Sequence, residues 1–242
     1  MGTDLTLLLT TANRLPEETA ERLRAYLLEV TGGRYPIVSV SQRPIDFGHN
    51  ICVGEIGQSK YNEYWQLHIG AQAIETVYTA VVDDDTLYSL NHFEHRPAPG
   101  VFWYETNYWF CQDGLNHYWR IANRHQNGGG MWGCIAMTET LCGNLAARFT
   151  RYPVDPLIPH RKTIWWGEPG IQEGDREYGR HDLCHRGESI NPCVVFVHRA
   201  SMGHKQLSRF YRRYGLPQPE NKSERLDQFG TVADLRRKFW NG

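Results

Sequence analysis

A run of apolar and β-branched residues that ends in three consecutive carboxylates constrains this chain more than any other stretch. Val77 to Val82 has the composition of a buried strand, and Asp83, Asp84 and Asp85 follow it directly. Strands rich in Val and Thr are typical of covered, parallel sheets, and ligands of open α/β sheets bind beyond the carboxyl ends of the strands. The sequence therefore predicts that the three carboxylates lie at a sheet edge that a ligand can reach.

The three aspartates, called the acidic turn below, have the composition of a divalent-cation site. Adjacent carboxylates repel one another, and a bound cation removes that repulsion. Mn²⁺ or Mg²⁺, held by one or two carboxylates together with diphosphate oxygens, is the cofactor that this chemistry favours. The alternative is a solvated turn that closes the strand and binds no ligand.

Size and composition fit a globular protein. The 242 residues carry a formal net charge of −1, but residues 197–242 are basic, with 10 Lys+Arg against 4 Asp+Glu. No uncharged apolar run approaches the roughly 20 residues that a membrane helix needs. No basic segment precedes the short apolar run of residues 5–9, so we expect a cytoplasmic protein without membrane insertion. The six cysteines form no CxxC pair and are expected to be reduced.

The first ninety residues alternate between strand and helix patterns. Residues 4–10 and 35–41 are predicted strands, and the apolar residues between them recur at the spacing of a helix that begins near Pro16. Ser59 can cap a second helix, which leads into the strand before the acidic turn. This order predicts βαβ units and a nucleotide-binding half over residues 1–96.

From residue 97 onward the pattern is aromatic and less regular. Aromatic residues predict antiparallel strands at residues 101–104, 107–110 and 117–121. Helices are predicted to begin near Thr138 and Thr231, and a strand at residues 192–198 precedes a helix with an arginine-rich face. We therefore expect one domain over residues 1–242, with basic helices at its C-terminal end.

Two segments of the chain resemble family 2 glycosyltransferases. Residues 7–14 are similar to the first strand of that family and its Thr-x-Asn-Arg-like turn, and residues 50–85 are similar to its helix and strand ending in a DxD-type acid cluster. Residues 192–205 resemble, more loosely, a strand and His segment of small relatives. The resemblance implies a GT-A-like α/β fold, with a mainly parallel Rossmann-type sheet flanked by helices and an antiparallel acceptor-side portion. Residues 1–96 would then bind a nucleotide-sugar, a UDP-sugar by preference, and residues 97–242 would form the acceptor-side half.

The resemblance also implies roles for individual residues. The donor-binding residues would line the nucleoside pocket, face the base or approach the ribose: Thr10, Thr11, Asn13, Arg14, Ser41, Gln42, Lys60, Asp83 and Asp84. Asp85 and His198 would bind the metal, because neutral imidazole is acceptable to Mn²⁺. The implied activity is transfer of a sugar from a nucleotide-diphosphate donor to a hydroxyl group of an acceptor.

An inverting transferase of this kind needs a carboxylate to deprotonate the acceptor hydroxyl. The catalytic candidates are Glu168, Glu177, Asp182 and Glu139. Glu168 is favoured because the aromatic and apolar residues beside it could stack on a sugar or a base. The alternative for each is an ordinary surface carboxylate, and inversion or retention of stereochemistry stays open.

The basic C-terminal segment favours an anionic acceptor. One hypothesis is a hydroxylated or hydroxymethylated pyrimidine base in phage DNA, modified in the cytoplasm of the bacterial host. Basic side chains would then contact phosphates: Arg209, Arg212, Arg213, Arg236, Arg237 and Lys238. A lipid or polysaccharide acceptor is the other enzymatic hypothesis.

A group of His and Cys residues supports an alternative without catalysis. His181, Cys184, His185, Cys193 and His198 could chelate zinc in a nucleic-acid-binding protein, although their spacing matches no standard zinc finger. This hypothesis leaves the acidic turn without a role.

Overall fold

The structure, a computed structural model, describes residues 3–112, 114–120, 133–153, 169, 183–197 and 221–240. The strands in chain order are β1 (Leu5–Thr11), β2 (Ile37–Ser41), β3 (His49–Cys52), β4 (Tyr78–Asp83), β5 (Thr86–Leu87), β6 (Phe102–Glu105), β7 (Tyr108–Gln112), β8 (Tyr118–Trp119), β9 (Cys134–Met137), β10 (Cys184–Gly187), β11 (Cys193–Val197), β12 (Lys222–Ser223), β13 (Arg225–Leu226) and β14 (Gly230–Thr231). The helices are α1 (Glu17–Thr31), α2 (Lys60–Gln72), α3 (Thr138–Arg151) and α4 (Val232–Phe239), and a 3₁₀ helix covers Leu90–Glu94.

A seven-stranded sheet forms the centre of the fold, in the order β10-β6-β9-β4-β1-β2-β3. Strands β4, β1, β2 and β3 are parallel neighbours, β9 is antiparallel to both β4 and β6, and β10 is parallel to β6. The expected α/β class, with a mainly parallel sheet flanked by helices and an antiparallel portion, is confirmed. The assignment of residues 1–242 to one domain stays a prediction.

A second, five-stranded sheet has the order β12-β8-β7-β11-β5. The sequence predicted antiparallel pairing among the aromatic strands, and β7 and β8 do pair in this way, with Phe110 opposite Trp119. The expectation fails for β6 and β7, because the chain leaves the large sheet after Glu105 and enters the small one at Tyr108. No helix within the described ranges is long and apolar enough to cross a membrane.

β1 is buried along its whole length and separates two parts of the core. Leu7 and Leu9 pack with Leu27 of α1 on one face, while Leu8 packs with Leu67 of α2 on the other. This alternation follows from the two-residue period of a strand. Its two faces are therefore covered by different helices, as the βαβ pattern predicted.

Helix α2 lies very close to the sheet because of Gly70. A Cβ at this position would stand 2.3 Å from Leu8 Cδ1 and 2.8 Å from Val40 Cγ2. The start of α2 is fixed by Ser59, whose hydroxyl accepts a hydrogen bond from the Asn62 amide at 3.1 Å. The predicted cap is confirmed, and the helix is held against the ends of β1 and β2.

Candidate functional site

The acidic turn lies at the carboxyl edge of the large sheet. β4 ends at Asp83, and its parallel neighbour β1 ends at Thr11, with Thr10 opposite Asp83 in the register. β2 ends at Ser41, opposite Thr11. Three parallel strands therefore deliver polar side chains to one edge, at the place that the strand pattern predicted.

The charges around the acidic turn disfavour ionisation of Asp83. Burial raises the pKa of Asp83 well above its usual range, and the charges of Asp85, Glu63 and Asp84 raise it further. Lys60 acts in the opposite direction, but its ammonium also pairs with Glu63, with Nζ 2.6 Å from Oε2. Among the described residues, burial and the neighbouring carboxylates therefore make ionisation of Asp83 unfavourable. A divalent cation fits this condition, since its charge would neutralise the carboxylates.

Asp84 and Asp85 are held by different parts of the fold. Thr11 Oγ1 donates a short hydrogen bond to the carboxylate of Asp84. Asp85 is buried and accepts a hydrogen bond from Thr86 Oγ1 at 3.2 Å. Its backbone carbonyl accepts the amide of Phe196 at 2.9 Å, which joins the turn to β11 of the small sheet. The acidic turn is therefore fixed between the two sheets.

Asn13 organises the loop after β1. Its φ is 52°, in the left-handed region that Asn tolerates better than most residues. Its Oδ1 accepts hydrogen bonds from the amides of Gln42 and Arg43, both at 2.8 Å. Its own amide donates to Thr11 Oγ1 at 2.9 Å, and that same hydroxyl donates to Asp84. One chain of hydrogen bonds thus runs from the end of β2 to the acidic turn.

Gln66 on α2 is a site-forming residue that the sequence interpretation missed. Its side chain is buried, and its Nε2 donates to the carbonyls of Thr11 and Val40, both at 3.0 Å. These carbonyls lie at the ends of β1 and β2, so Gln66 supports the edge from the helix side. A polar residue beside Tyr64 and Leu67, on the face of α2 that packs on the sheet, is the signal that could have identified it.

The two residues expected to face a base are engaged in internal hydrogen bonds. Gln42 donates from Nε2 to the carbonyl of Gly57 at 2.8 Å and accepts the Gly57 amide at 3.2 Å. Ser41 Oγ accepts a hydrogen bond from Asn50 Nδ2 at 2.9 Å. Both side chains are buried and form the wall of the edge site. Arg14, by contrast, is exposed on the loop after Asn13.

The structure brings together most of the donor-binding residues that the resemblance implied. Thr10, Thr11, Asn13, Gln42, Lys60 and the acidic turn all belong to this edge. Glu168, Glu177, Asp182 and His198 lie outside the described residues.

Glu139 does not belong to the edge site, which corrects its inclusion among the catalytic candidates. β9 runs antiparallel to β4, with Met137 opposite Tyr78, and the amide of Thr138 donates to the carbonyl of Val77 at 2.8 Å. Glu139 therefore follows the amino end of β4, at the opposite edge of the sheet. The five residue steps from Tyr78 to Asp83 span about 17 Å at about 3.3 Å per step.

The zinc grouping expected from the sequence does not form among its described members. Cys184 lies on β10 of the large sheet, whereas Cys193 lies on β11 of the small one. Within the described ranges, the His, Cys and acidic side chains close enough to hold a metal are His92, Glu105 and Cys193. His181 and His198 are outside those ranges.

Part of the predicted phosphate-binding set is used inside the fold. Arg236 donates a hydrogen bond to the carbonyl of Gln112, which ties α4 to β7. Arg237 and Lys238 are exposed, and Arg237 lies 3.5 Å from Asp234 one turn earlier. Arg209, Arg212 and Arg213 are outside the described residues.

The fold is α/β, and the candidate ligand site lies beyond the carboxyl ends of its parallel strands, the usual place in open α/β sheets. No protein-family model matches the chain, and no curated protein is significantly similar to it. The fold is partly similar to a glycosyltransferase involved in the glycosylation of the major capsid of PBCV-1, with a TM-score of 0.44 and 13% identity over 84% of this chain and 98% of that one. A nucleotidyl transferase from Methanothermobacter gives 0.43 and 12%, over 88% and 97%. The bifunctional IspDF from Campylobacter jejuni gives 0.40 and 10%, over 77% of this chain and 50% of that one.

Proposed function

We propose that this chain is a glycosyltransferase of the GT-A type, similar to family 2, that uses a nucleotide-diphosphate sugar as its donor. The observation that carries the proposal is the connection between the acidic turn and the ends of β1 and β2. Asn13 and Thr11 link the three strand ends, and burial together with the neighbouring carboxylates disfavours the ionised form of Asp83. A nucleotide diphosphate bound with a cation supplies the positive charge and the hydrogen-bonding groups that such an edge favours.

Different residues of the edge would bind different parts of the nucleotide-sugar donor. The loop from Thr11 to Arg14 would contact the nucleoside, and Gln42, fixed by Gly57, would limit the space at the base. Asp83 would accept hydrogen bonds from the ribose, and Asp85 would hold Mn²⁺ or Mg²⁺. The cation would stabilise the negative charge that develops on the leaving phosphate, more in the transition state than in the ground state.

A thermal-shift experiment tests the donor site. UDP-, GDP-, CMP- and dTDP-sugars are added to the wild type and to Asp85→Ala, with and without Mn²⁺. We expect stabilisation by one nucleotide class, UDP by preference, that requires Mn²⁺ and disappears in Asp85→Ala. Asp46→Ala is the matched control, since Asp46 is exposed on the loop before β3 and should respond as the wild type does. A folded wild-type protein that responds to none of the donors would contradict the proposal.

The acceptor that we propose is a hydroxylated or hydroxymethylated pyrimidine base in DNA. The support is the basic composition of residues 197–242, of which Arg237 and Lys238 are exposed on α4. Binding to phosphates releases counterions, so acceptor affinity should fall steeply as salt concentration rises. Titration of hydroxymethylated duplex DNA at several salt concentrations measures this slope. A flat response would favour a lipid or polysaccharide acceptor while leaving the donor proposal intact.

A further inference from the structure

A second cluster of metal-binding side chains lies at the junction of the two sheets. Glu105 is the last residue of β6 in the large sheet, and Cys193 is the first residue of β11 in the small sheet. His92 belongs to the 3₁₀ helix that follows β5. All three side chains have 0% of their surface exposed. Strands from both sheets therefore bring three different metal-ligand types into one enclosed place.

The distance between His92 and Glu105 fits tetrahedral coordination as well as a long hydrogen bond. Nδ1 of His92 lies 3.4 Å from Oε2 of Glu105. A hydrogen bond between an imidazolium and a carboxylate is shorter, about 2.7–2.9 Å. Two ligand atoms about 2.05 Å from Zn²⁺ lie about 3.4 Å apart at the tetrahedral angle. The ligand atoms of His92, Glu105 and Cys193 all lie within 4.8 Å of one another.

The backbone around Glu105 fixes its carboxylate in one orientation. Oε1 accepts three amide hydrogen bonds, from Asn107 at 2.7 Å, Thr106 at 2.9 Å and Ser189 at 3.1 Å. These bonds direct Oε2 toward His92. Hydrogen bonds from outside the coordination sphere orient carboxylate ligands in this way in known metal centres.

The ring of His92 has unused binding capacity in an apolar environment. Its Nε2 is buried and has no hydrogen-bond partner among the described residues. The aromatic rings of Tyr88, Phe93 and Trp103 surround it, with centroids 5.0, 5.0 and 5.4 Å away. Metal-bound imidazoles usually donate their second nitrogen to an acceptor, so the described residues hold the His92 ring by packing rather than by a hydrogen bond at Nε2.

The sulfur ligand of Cys193 favours zinc over metals that prefer oxygen ligands. This sulfur is fully buried, and it lies within 4.8 Å of the ligand atoms of His92 and Glu105. A set of one thiolate, one imidazole and one carboxylate suits Zn²⁺ far better than Mg²⁺ or Mn²⁺, which prefer oxygen ligands. Binding would release the thiol proton to solvent, as zinc binding to cysteine does in general.

We infer that His92, Glu105 and Cys193 bind one Zn²⁺ that links the two sheets, at a place separate from the acidic turn. Structural zinc sites usually have four protein ligands, whereas this cluster supplies three, so a water molecule would take the fourth position. The proposed role is structural, because the three side chains are closed off from solvent while the acidic turn lies at the sheet edge. The inference is independent of the proposed transferase activity.

Metal analysis of the full chain tests the inference. We expect about one zinc per chain after purification without chelators, and a thiolate-to-cobalt charge-transfer band when Co²⁺ replaces Zn²⁺. Cys193→Ser should lose the band and most of the zinc. Cys111→Ser is the matched control, since Cys111 is buried on β7 beside β11 and should keep both. Asp85→Ala should also keep both, which separates this site from the acidic turn.

The wild-type spectrum gives a result even if Cys193→Ser fails to fold. A wild-type protein that contains no zinc, and that shows no thiolate-to-cobalt band after loading with Co²⁺, would overturn the inference. Equal zinc content in the wild type and in a folded Cys193→Ser variant would overturn it as well. In either case the cluster would be a hydrogen-bonded group of neutral Cys193 with His92 and Glu105.

Discussion

Glu105 and Asp83 lie near the same edge of the large sheet, but the protein shifts the pKa values of their carboxyl groups in opposite directions. Glu105, at the end of β6, is fully buried, and burial alone would raise its pKa. The hydrogen bond and charge of His92, together with hydrogen bonds from Ser189 and the Asn107 amide, reverse this and lower the pKa. Asp83, at the end of β4, has its pKa raised by burial and by neighbouring carboxylates.

This contrast separates a carboxylate whose ionised form the chain stabilises from one whose ionised form its neighbours destabilise. The ionised form of Glu105 is supported by donors from the chain itself, so its charge belongs to the structure of the protein. The ionised form of Asp83 faces other negative charges, so it gains most from a cation that arrives from solution. The acidic turn is therefore the better place to seek transient ligands, and the Glu105 cluster the better place to seek a permanent one.

The largest loss of stability should follow removal of the Glu105 carboxylate. Glu105→Ala leaves His92 and three buried amides without their acceptor, so we expect the free energy of unfolding to fall by about 3–5 kcal/mol. Urea denaturation of chelator-treated protein measures the change. Glu94→Ala, an exposed residue of the same 3₁₀ helix, should stay within about 0.5 kcal/mol of the wild type. Equal stability of both variants would mean that the cluster does not hold the sheets together.

A smaller loss of stability should follow removal of the Gln66 side-chain amide, which hydrogen-bonds to the strand ends at the edge site. Gln66→Leu removes two buried hydrogen bonds to the carbonyls of Thr11 and Val40, and we expect a loss of about 2–3 kcal/mol. Gln72→Leu, an exposed residue on the same helix, is the matched control. Denaturation midpoints measure both variants. If Gln66→Leu proves neutral, the edge site is held by β1 and β2 alone.

The sequence was sufficient to predict the strand that carries the acidic turn, because its signal is local. Buried β-branched residues, helix caps and turn chemistry act over a few residues, and they located β1, α1, β2, α2 and β4. Thr11 and Asn13 came from the resemblance to family 2 glycosyltransferases rather than from a local rule, and the parallel pairing of β1 with β4 brings Thr11 to the turn.

What the sequence did not predict depends on contacts between distant parts of the chain. His92, Glu105 and Cys193 are separated by 13 and 88 residues, and no periodicity connects them. Gln66 acts through two carbonyls on other elements, which no residue pattern specifies. The separation of β6 from β7 depends on the partners that each strand finds in a different sheet, and the sequence pattern of the two strands is alike.

The loop that connects the acidic turn to β2 allows a finer test of how the edge is built. Asn13→Ala forces a residue with a Cβ but no polar side chain into a left-handed conformation and leaves the amides of Gln42 and Arg43 without their acceptor. We expect a loss of about 1–2 kcal/mol in the free energy of unfolding. Asn13→Gly keeps the backbone conformation and should lose less. Equal losses in the two variants would assign the whole effect to the missing acceptor.

The only change of opposite sign is expected for the Asp83 carboxylate. The pKa of Asp83 is raised in the folded protein above its usual value of 3.8, so the folded state binds the proton more tightly than the unfolded state does. Wild-type stability should therefore fall as pH rises from 3.8 through the folded-state pKa. Asp83→Asn cannot ionise, so the variant should be more stable than the wild type at neutral pH without divalent cations.

Denaturation across pH, with and without Mn²⁺, measures this difference between Asp83→Asn and the wild type. The two proteins should converge below pH 3.8, where both carry a neutral side chain at this position. Added Mn²⁺ should stabilise the wild type more than the variant, and Asp46→Asn should follow the wild type throughout. A variant less stable than the wild type at neutral pH would show that the chain itself satisfies the Asp83 carboxylate. The contrast with Glu105 would then disappear, and with it the electrostatic reason to place a cation at the acidic turn.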